Sequence, residues 1–128
     1  ASVFGKGSGA SVTVPDGSST PATGIGAQVT LSRPGSWLLT AAVALNIVSD
    51  NGQIFTLTLA VGSTVQSSHT AQWSQAADGQ VMLHQTWQIA AQGGENCRLL
   101  IVKDGGAGTS SVNPINSTLS ALWQGPKK

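Results

Sequence analysis

The chain has 128 residues, a formal net charge of +1, and charged side chains at only 9% of its positions. This length predicts one domain with a single core. The one cationic cluster, Lys127–Lys128, is too small to neutralise a run of phosphates, so we expect no nucleic-acid partner. The longest nearly uncharged apolar stretch, WLLTAAVALNIV, is shorter than the roughly 20 residues of a membrane-spanning helix. No membrane partner is expected either.

The first part of the chain, residues 1–26, is rich in glycine, serine and proline and contains little apolar material. We predict an extended N-terminal arm with one short edge strand, followed by a folded domain over residues 27–128. The alternative is a disordered leader. An arm this rich in glycine becomes ordered when a partner holds it. The predicted partner contacts in the arm are Val3, Phe4, Lys6, Val12 and Val14.

From Ala27 onward, apolar and polar residues alternate with the period of two that is typical of β-strands. The predicted strands are AQVTLS, GSWLLTAAVALNIV, QIFTLTLAV, HTAQWSQ, VMLHQTWQIA, CRLLIV and STLSALW. The Asp50–Gly52 turn predicts a β-hairpin between the second and third of these strands, and residues 104–116 predict a long loop. About eight strands without a convincing helix indicate an all-β, antiparallel sandwich or barrel. In such folds the last strand is often central, so its apolar residues are predicted to lie in the core.

The acidic residues argue against an enzyme. All five lie in predicted turns. Where glycine follows aspartate, the carboxylate is predicted to cap the local backbone while the glycine takes a positive φ. The five acids are Asp16, Asp50, Asp78, Glu95 and Asp104. No carboxylate pair remains on a strand face for acid–base catalysis. We therefore expect a non-enzymatic protein without a cofactor, and an enzyme with loop-borne residues remains an alternative.

The histidines and the single cysteine give no sign of a metal site. His69 and His84 have no Cys or acid at ligand spacing, whereas a metal site ordinarily needs three or four ligands. We predict polar surface positions for both and no metal. One alternative is that the copies of one histidine meet on the axis of a symmetric trimer and bind a metal there. Cys97 alone excludes an internal disulfide and is predicted to be a buried, inert thiol.

The four tryptophans fall into two groups. Trp37, Trp87 and Trp123 share strand faces with aliphatic residues, which favours core packing. Trp73 lies in the polar segment TAQWSQ and is predicted to make an exposed contact, to a partner subunit or to a glycan.

Two segments resemble a known fold. RPGSWLLTAAVAL resembles the Pro-Gly-aromatic strand of the tumour-necrosis-factor-like jelly roll, which the globular heads of complement-type proteins share. STLSALWQG resembles its final strand. The resemblance runs from Arg33 to the end of the chain and implies a jelly-roll sandwich that associates as a homotrimer. The small, Gly/Ser/Thr/Gln-rich and nearly Cys-free composition is similar to that of decoration (cement) proteins and fibre tips of tailed bacteriophages.

This resemblance implies a decoration protein on the exterior of the virion capsid, assembled in the host cytoplasm. Its partners would be the major capsid protein and two further copies of itself. We expect the arm to reach along the shell, and the trimer to use the sandwich edge and Trp73. The alternative is a fibre-tip or carbohydrate-binding module that uses Trp73 and residues 104–116. A tail or baseplate component is a further structural alternative.

Overall fold

A computed structural model describes residues 2–7, 11–15, 23–50, 52–62, 64–74, 77–105 and 108–126. Within these ranges the chain forms nine β-strands and no helix. The strands are β1 (Ser2–Lys6), β2 (Val12–Thr13), β3 (Thr23–Leu31), β4 (Gly35–Ile47), β5 (Phe55–Val61), β6 (Thr64–Trp73), β7 (Gly79–Ala91), β8 (Glu95–Lys103) and β9 (Ser111–Gly125). The described residues accordingly contain no apolar helix that is long enough to cross a bilayer.

The strands form two sheets in which every pairing is antiparallel. The front sheet has the order β1-β9-β4-β7, with β2 also paired to β9. The back sheet has the order β3-β8-β5-β6. The predicted antiparallel sandwich is confirmed, with nine strands where about eight were expected. The C-terminal strand β9 lies between β1 and β4, so the apolar end of the chain is core, as predicted.

The alternation in β4 shows how the sequence directs one face of each strand inward. Along this strand buried residues alternate strictly with half-buried ones. The buried side chains include Trp37, Leu39, Val43 and Leu45. Successive strand residues point to opposite faces, so one apolar face of each sheet packs against the other. Trp87 is also buried, and Trp123 is half-buried against the core, which confirms the predicted packing of all three tryptophans.

Two loop predictions were wrong. The Asp50–Gly52 turn does not close a hairpin, because β4 belongs to the front sheet and β5 to the back sheet. Turn chemistry is local, whereas the choice of sheet depends on long-range pairing. The predicted loop over residues 104–116 is shorter, since β9 already begins at Ser111.

A bulge explains how Pro114 fits inside β9. The pairing of β4 with β9 shifts between Ala42 and Ala44, where the partner changes from Thr118 to Asn113. Proline has no N–H to donate and is tolerated in sheets at such bulges. The Ser117 hydroxyl accepts a hydrogen bond from the Ala44 N–H at 3.1 Å and donates one to the Asn113 carbonyl at 2.8 Å. This buried hydroxyl replaces the strand partner that the bulge removes.

The N-terminal strands β1 and β2 extend the front sheet along β9. Gly5 faces inward against β3, where an added Cβ would overlap the backbone carbonyl oxygen of Gln28. Val14 is buried in the core. The described part of the predicted arm therefore lies on the sandwich, while residues 8–10 and 16–22 lie outside the described residues. The division of the chain at residue 27 stays a prediction.

Candidate interaction surface

The outer face of the front sheet is built from the residues of β1, β9, β4 and β7 that point away from the core. Strand pairing aligns these residues in rows across the sheet. The rows consist of Leu122, Leu38 and Gln88; Phe4, Ser120, Thr40 and Thr86; Thr118, Ala42 and His84; and Ala44 with Met82. We call this surface the neutral face, because none of these side chains is an acid, a lysine or an arginine. Lys6 pairs with Thr118 at the β1 end of the row that holds His84, and its side chain lies outside the described residues.

The neutral face also gathers the exposed apolar side chains of the described residues. Five large hydrophobic residues are exposed, and four of them lie on or beside this face, namely Phe4, Met82, Ile115 and Leu122. Phe4 is 66% exposed. Single exposed apolar residues are ordinary, but several grouped on a face without charge indicate a contact surface.

A groove of about 740 Å³ opens at one end of the neutral face. Its exposed apolar residues are Phe4, Met82 and Ile115, and Ala44, Leu45 and Val81 also line it. The polar lining consists of side-chain amides and hydroxyls, from Ser11, Asn46, Gln80, Ser111, Asn113, Asn116 and Thr118. All of these side chains are uncharged, so the groove offers hydrogen bonds and apolar contact without an electrostatic preference.

The opposite end of the face is fixed by aromatic and amide contacts. Arg33 stacks on Trp123, with the guanidinium carbon 3.6 Å from the ring centroid. The indole of Trp123 donates a hydrogen bond to the Pro34 carbonyl at 3.1 Å, and Trp37 donates one to the Arg33 carbonyl at 3.0 Å. These bonds tie the β3–β4 turn to the last strand. The terminal part of β9 is therefore held in place at this end of the face.

A buried ion pair fixes the loops at the groove end. Lys103 Nζ lies 2.9 Å from both carboxylate oxygens of Asp50 and also donates to the Gly108 carbonyl at 2.8 Å. The Asp50 carboxylate accepts further hydrogen bonds from the Gly108 N–H and the Ser110 hydroxyl. Burial alone raises the pKa of Asp50, but the hydrogen bonds from Ser110, Lys103 and Gly108 outweigh it and hold the pKa below its usual range.

The carboxylates of Asp78 and Asp104 cap backbone that is remote in sequence, which corrects the expectation of local capping. Asp78 accepts from the Ser49 N–H at 3.0 Å, and Asp104 accepts from the Ile54 N–H at 2.8 Å. Glu95 does cap local backbone, at Gln92 and Gly93. The turn glycines after Asp78 and Asp104 have positive φ, as predicted. The described acids thus serve structural roles, and Asp16 lies outside the described residues.

The residues predicted to contact partners occupy different environments. Phe4 lies on the neutral face, whereas Val3 and Val12 are half-buried and Val14 is fully buried. The side chain of Lys6 lies outside the described residues. Trp73 is half-buried against the core, beside a small cavity of about 180 Å³.

Sequence reasoning missed the contribution of Leu38, Met82 and Leu122 to this surface. In the sequence these three residues are uncharged and stand at outward-facing positions of their strands. That signal becomes specific only once pairing shows that the positions are neighbours.

The remaining polar candidates give no metal centre within the described ranges. His84 is exposed on the neutral face, and the side chain of His69 lies outside the description. No group of three or more His, Cys, Asp or Glu residues with the arrangement of a metal site occurs among the described residues. Cys97 is buried, and its burial, with a smaller contribution from Glu95, raises the pKa of the thiol to about 11.

Comparison with known proteins identifies the fold. No protein-family model and no curated protein match the chain. Solved structures similar to it include Eiger, a TNF of S. frugiperda, at a TM-score of 0.62 and 13% identity over 99% of this chain and 94% of that one. The globular domain of zebrafish complement 1qA protein matches at a TM-score of 0.60 and 4% sequence identity, over 98% of both chains. A chain of infectious bursal disease virus, Gx strain, matches at a TM-score of 0.61 and 12% sequence identity, over 94% of this chain and 31% of that one. The predicted jelly-roll fold is confirmed.

Proposed function

We propose that the chain is a non-enzymatic structural subunit that forms a homotrimer through the neutral face and decorates the exterior of a viral capsid. The observation that carries this proposal is the grouping of Phe4, Met82 and Leu122 on a sheet face without acids, lysines or arginines among its described side chains. Assembly in the host cytoplasm and binding to the major capsid protein complete the proposal.

A second copy of the chain is the occupant that best suits the neutral face. Two copies of a charged surface repel each other, whereas a neutral surface meets its own copy without that cost. The centres of protein interfaces are depleted in charged residues and enriched in aromatic residues and methionine. Phe4 and Met82 match this composition. The trimeric arrangement follows from the resemblance to tumour-necrosis-factor-like jelly rolls.

The capsid part of the proposal is supported by composition and by one structural neighbour. With 9% charged residues, the chain has little of the surface charge that keeps free proteins dispersed. Such a surface suits a subunit packed against other proteins. The viral neighbour has the same fold, which agrees with a structural role on a particle. The arrangement of the described acids as backbone caps supports a role without catalysis.

Co-sedimentation with capsid shells from its source tests the capsid part of the proposal. We expect the protein to saturate the shells in multiples of three copies per lattice position. Gln72→Asp, a substitution on the exposed side of the back sheet, shows whether that sheet also meets the shell. A stable trimer that does not bind shells would contradict the decoration role while leaving the trimer intact.

The groove supports a second candidate function, the binding of a neutral carbohydrate. Amides such as Asn46, Asn113 and Asn116 stand around Phe4, and sugars are bound by this combination of hydrogen bonds and apolar stacking. A glycan array with wild type and Asn113→Ala tests this function, with Thr86→Ala as a control outside the groove. Trp73→Ala tests the original expectation for that residue. Glycan binding that Asn113→Ala abolishes would favour this candidate over the capsid role.

A further inference from the structure

His84 is the single titratable side chain among the described residues of the neutral face. It lies on β7, opposite Ala42 of β4 and between Met82 and Thr86 of its own strand. The imidazole is exposed in the isolated subunit. Because the side chain of Ala42 is small, the imidazole of His84 is accessible to a partner that covers the neutral face.

No described carboxylate faces His84. The nearest positions on β4 are Thr40, Ala42 and Ala44, and the next strand presents Thr118 and Ser120. The described acids lie in turns beyond the strand ends or at the start of β8, where their carboxylates accept backbone or Lys103 hydrogen bonds.

Two other ionisable residues lie on strands that do not pair with β7. Lys6 is the register partner of Thr118 on β1, at the far end of the row that holds His84. His69 is on β6 of the back sheet. The side chains of both lie outside the described residues, so the experiment below includes a substitution at each.

We infer that acid releases the contact between copies of the neutral face, with His84 as the residue whose charge opens it. This inference rests on the homotrimer proposed above. The imidazole of histidine ordinarily gains its proton at about pH 6.5. In the assembled state a protonated imidazole would be buried against uncharged residues, and no carboxylate among the described residues of this face compensates for its lost hydration. The copies in the trimer would also repel one another.

The expected effect follows from proton linkage. Each imidazole that must be neutral in the assembly favours the dissociated form by a factor of up to about 10 for each pH unit that the pH falls. Three copies together raise the dissociation constant of the trimer by up to about a thousandfold for each such unit. The hydrogen bonds that lower the pKa of Asp50 keep its carboxylate ionised in this pH range, so we expect the released subunits to stay folded.

Sedimentation velocity at about pH 7.5 and about pH 5.5 tests the inference. The samples are wild type, His84→Gln, His84→Lys, and the controls His69→Gln and Lys6→Gln. We expect wild type and both controls to be trimers at the higher pH and to dissociate at the lower. His84→Gln should remain a trimer at both pH values, and His84→Lys should be dissociated at both. Circular dichroism at each pH verifies that every variant is folded.

The results separate this inference from the proposed function. A wild-type trimer that is equally stable at both pH values would overturn the acid release and leave the trimer standing. Dissociation of His84→Gln at the lower pH would assign the effect to another group and overturn the role of His84. A wild-type monomer at the higher pH would overturn the proposed assembly itself, and the inference with it.

Discussion

Lys103 Nζ lies 2.9 Å from each carboxylate oxygen of Asp50, and both residues are buried at the end of the sandwich where β4 and β8 finish. The pair joins the loop after β4 to the loop before β9. Its remaining hydrogen-bonding capacity is satisfied by Gly108 and Ser110. Because the whole cluster is internally satisfied, its role is to fix these loops beside the groove.

Removing one charge of this pair is expected to be costly. Asp50→Asn leaves Lys103 as an uncompensated buried charge, which typically destabilises a protein by about 3–5 kcal/mol. Urea unfolding measures the loss. Asp78→Asn is the matched control, since its carboxylate is exposed and accepts one bond, and we expect a loss of about 1 kcal/mol. Equal losses in the two variants would show that the buried pair has no special role.

The lowered pKa of Asp50 predicts a direction for acid sensitivity. As pH falls, the unfolded chain takes up the proton first, so the native state loses stability as pH falls through the folded-state pKa. Glu95 acts in the same direction, because its hydrogen bonds, the largest from Gln92, hold its pKa below the usual value. For the separate subunit, measured in the Leu122→Asp variant, we expect a constant free energy of unfolding from pH 7 to about pH 5 and a decline below about pH 4. In Asp50→Asn this decline should be shallower, and an unchanged slope would contradict the assignment.

Gly5 is expected to be irreplaceable, because the two sheets approach each other closely at this position. An added Cβ would overlap the Gln28 carbonyl, so Gly5→Ala must displace β1 from β9. We expect faster hydrogen exchange at the β1 amides and a lower melting temperature. Gly79→Ala is the control: its φ is +141° but no atom lies within 4 Å of the added Cβ. Gly79→Ala measures the cost of the positive φ alone, and hydrogen exchange at the β1 amides should be unaffected in this variant.

Cys97 is expected to be unreactive in the folded protein. Its burial and a thiol pKa raised to about 11 leave little thiolate at neutral pH. Labelling with a thiol-specific disulfide reagent at pH 7.5 should be slow in native protein and rapid in urea. Rapid labelling of the native state would contradict this assignment of an inert core thiol.

The period-two pattern was sufficient to predict most strands, because it reports on burial of one face. The inward residues of β4, including Trp37 and Leu45, were correctly assigned to the core. The pairing of the strands was less predictable from the sequence. The Asp50–Gly52 segment has the residues of a hairpin turn but connects different sheets. The local sequence does not distinguish a turn within one sheet from a connection between two sheets. The start of β9 was missed because Asn113 and Pro114 favour turns, whereas the bulge at Ser117 accommodates them.

The candidate surface was predictable only in part. Phe4 was expected to contact a partner, but from an extended arm rather than from a strand of the front sheet. Leu122 and Met82 lie far apart in sequence and become neighbours of the same face through β4. The Asp50–Lys103 pair likewise joins the loop after β4 to the end of β8 in the back sheet, so neither residue type nor spacing identifies it.

Sedimentation equilibrium at about pH 7.5 most directly tests whether the neutral face joins copies of this chain. Leu122→Asp places a charge on that face, and because Leu122 is 50% exposed we expect the subunit to stay folded. Gln72→Asp places the same charge on the exposed side of the back sheet. We expect trimers for wild type and Gln72→Asp, and monomers for Leu122→Asp. A monomeric wild type, or a Leu122→Asp trimer as stable as wild type, would contradict the account.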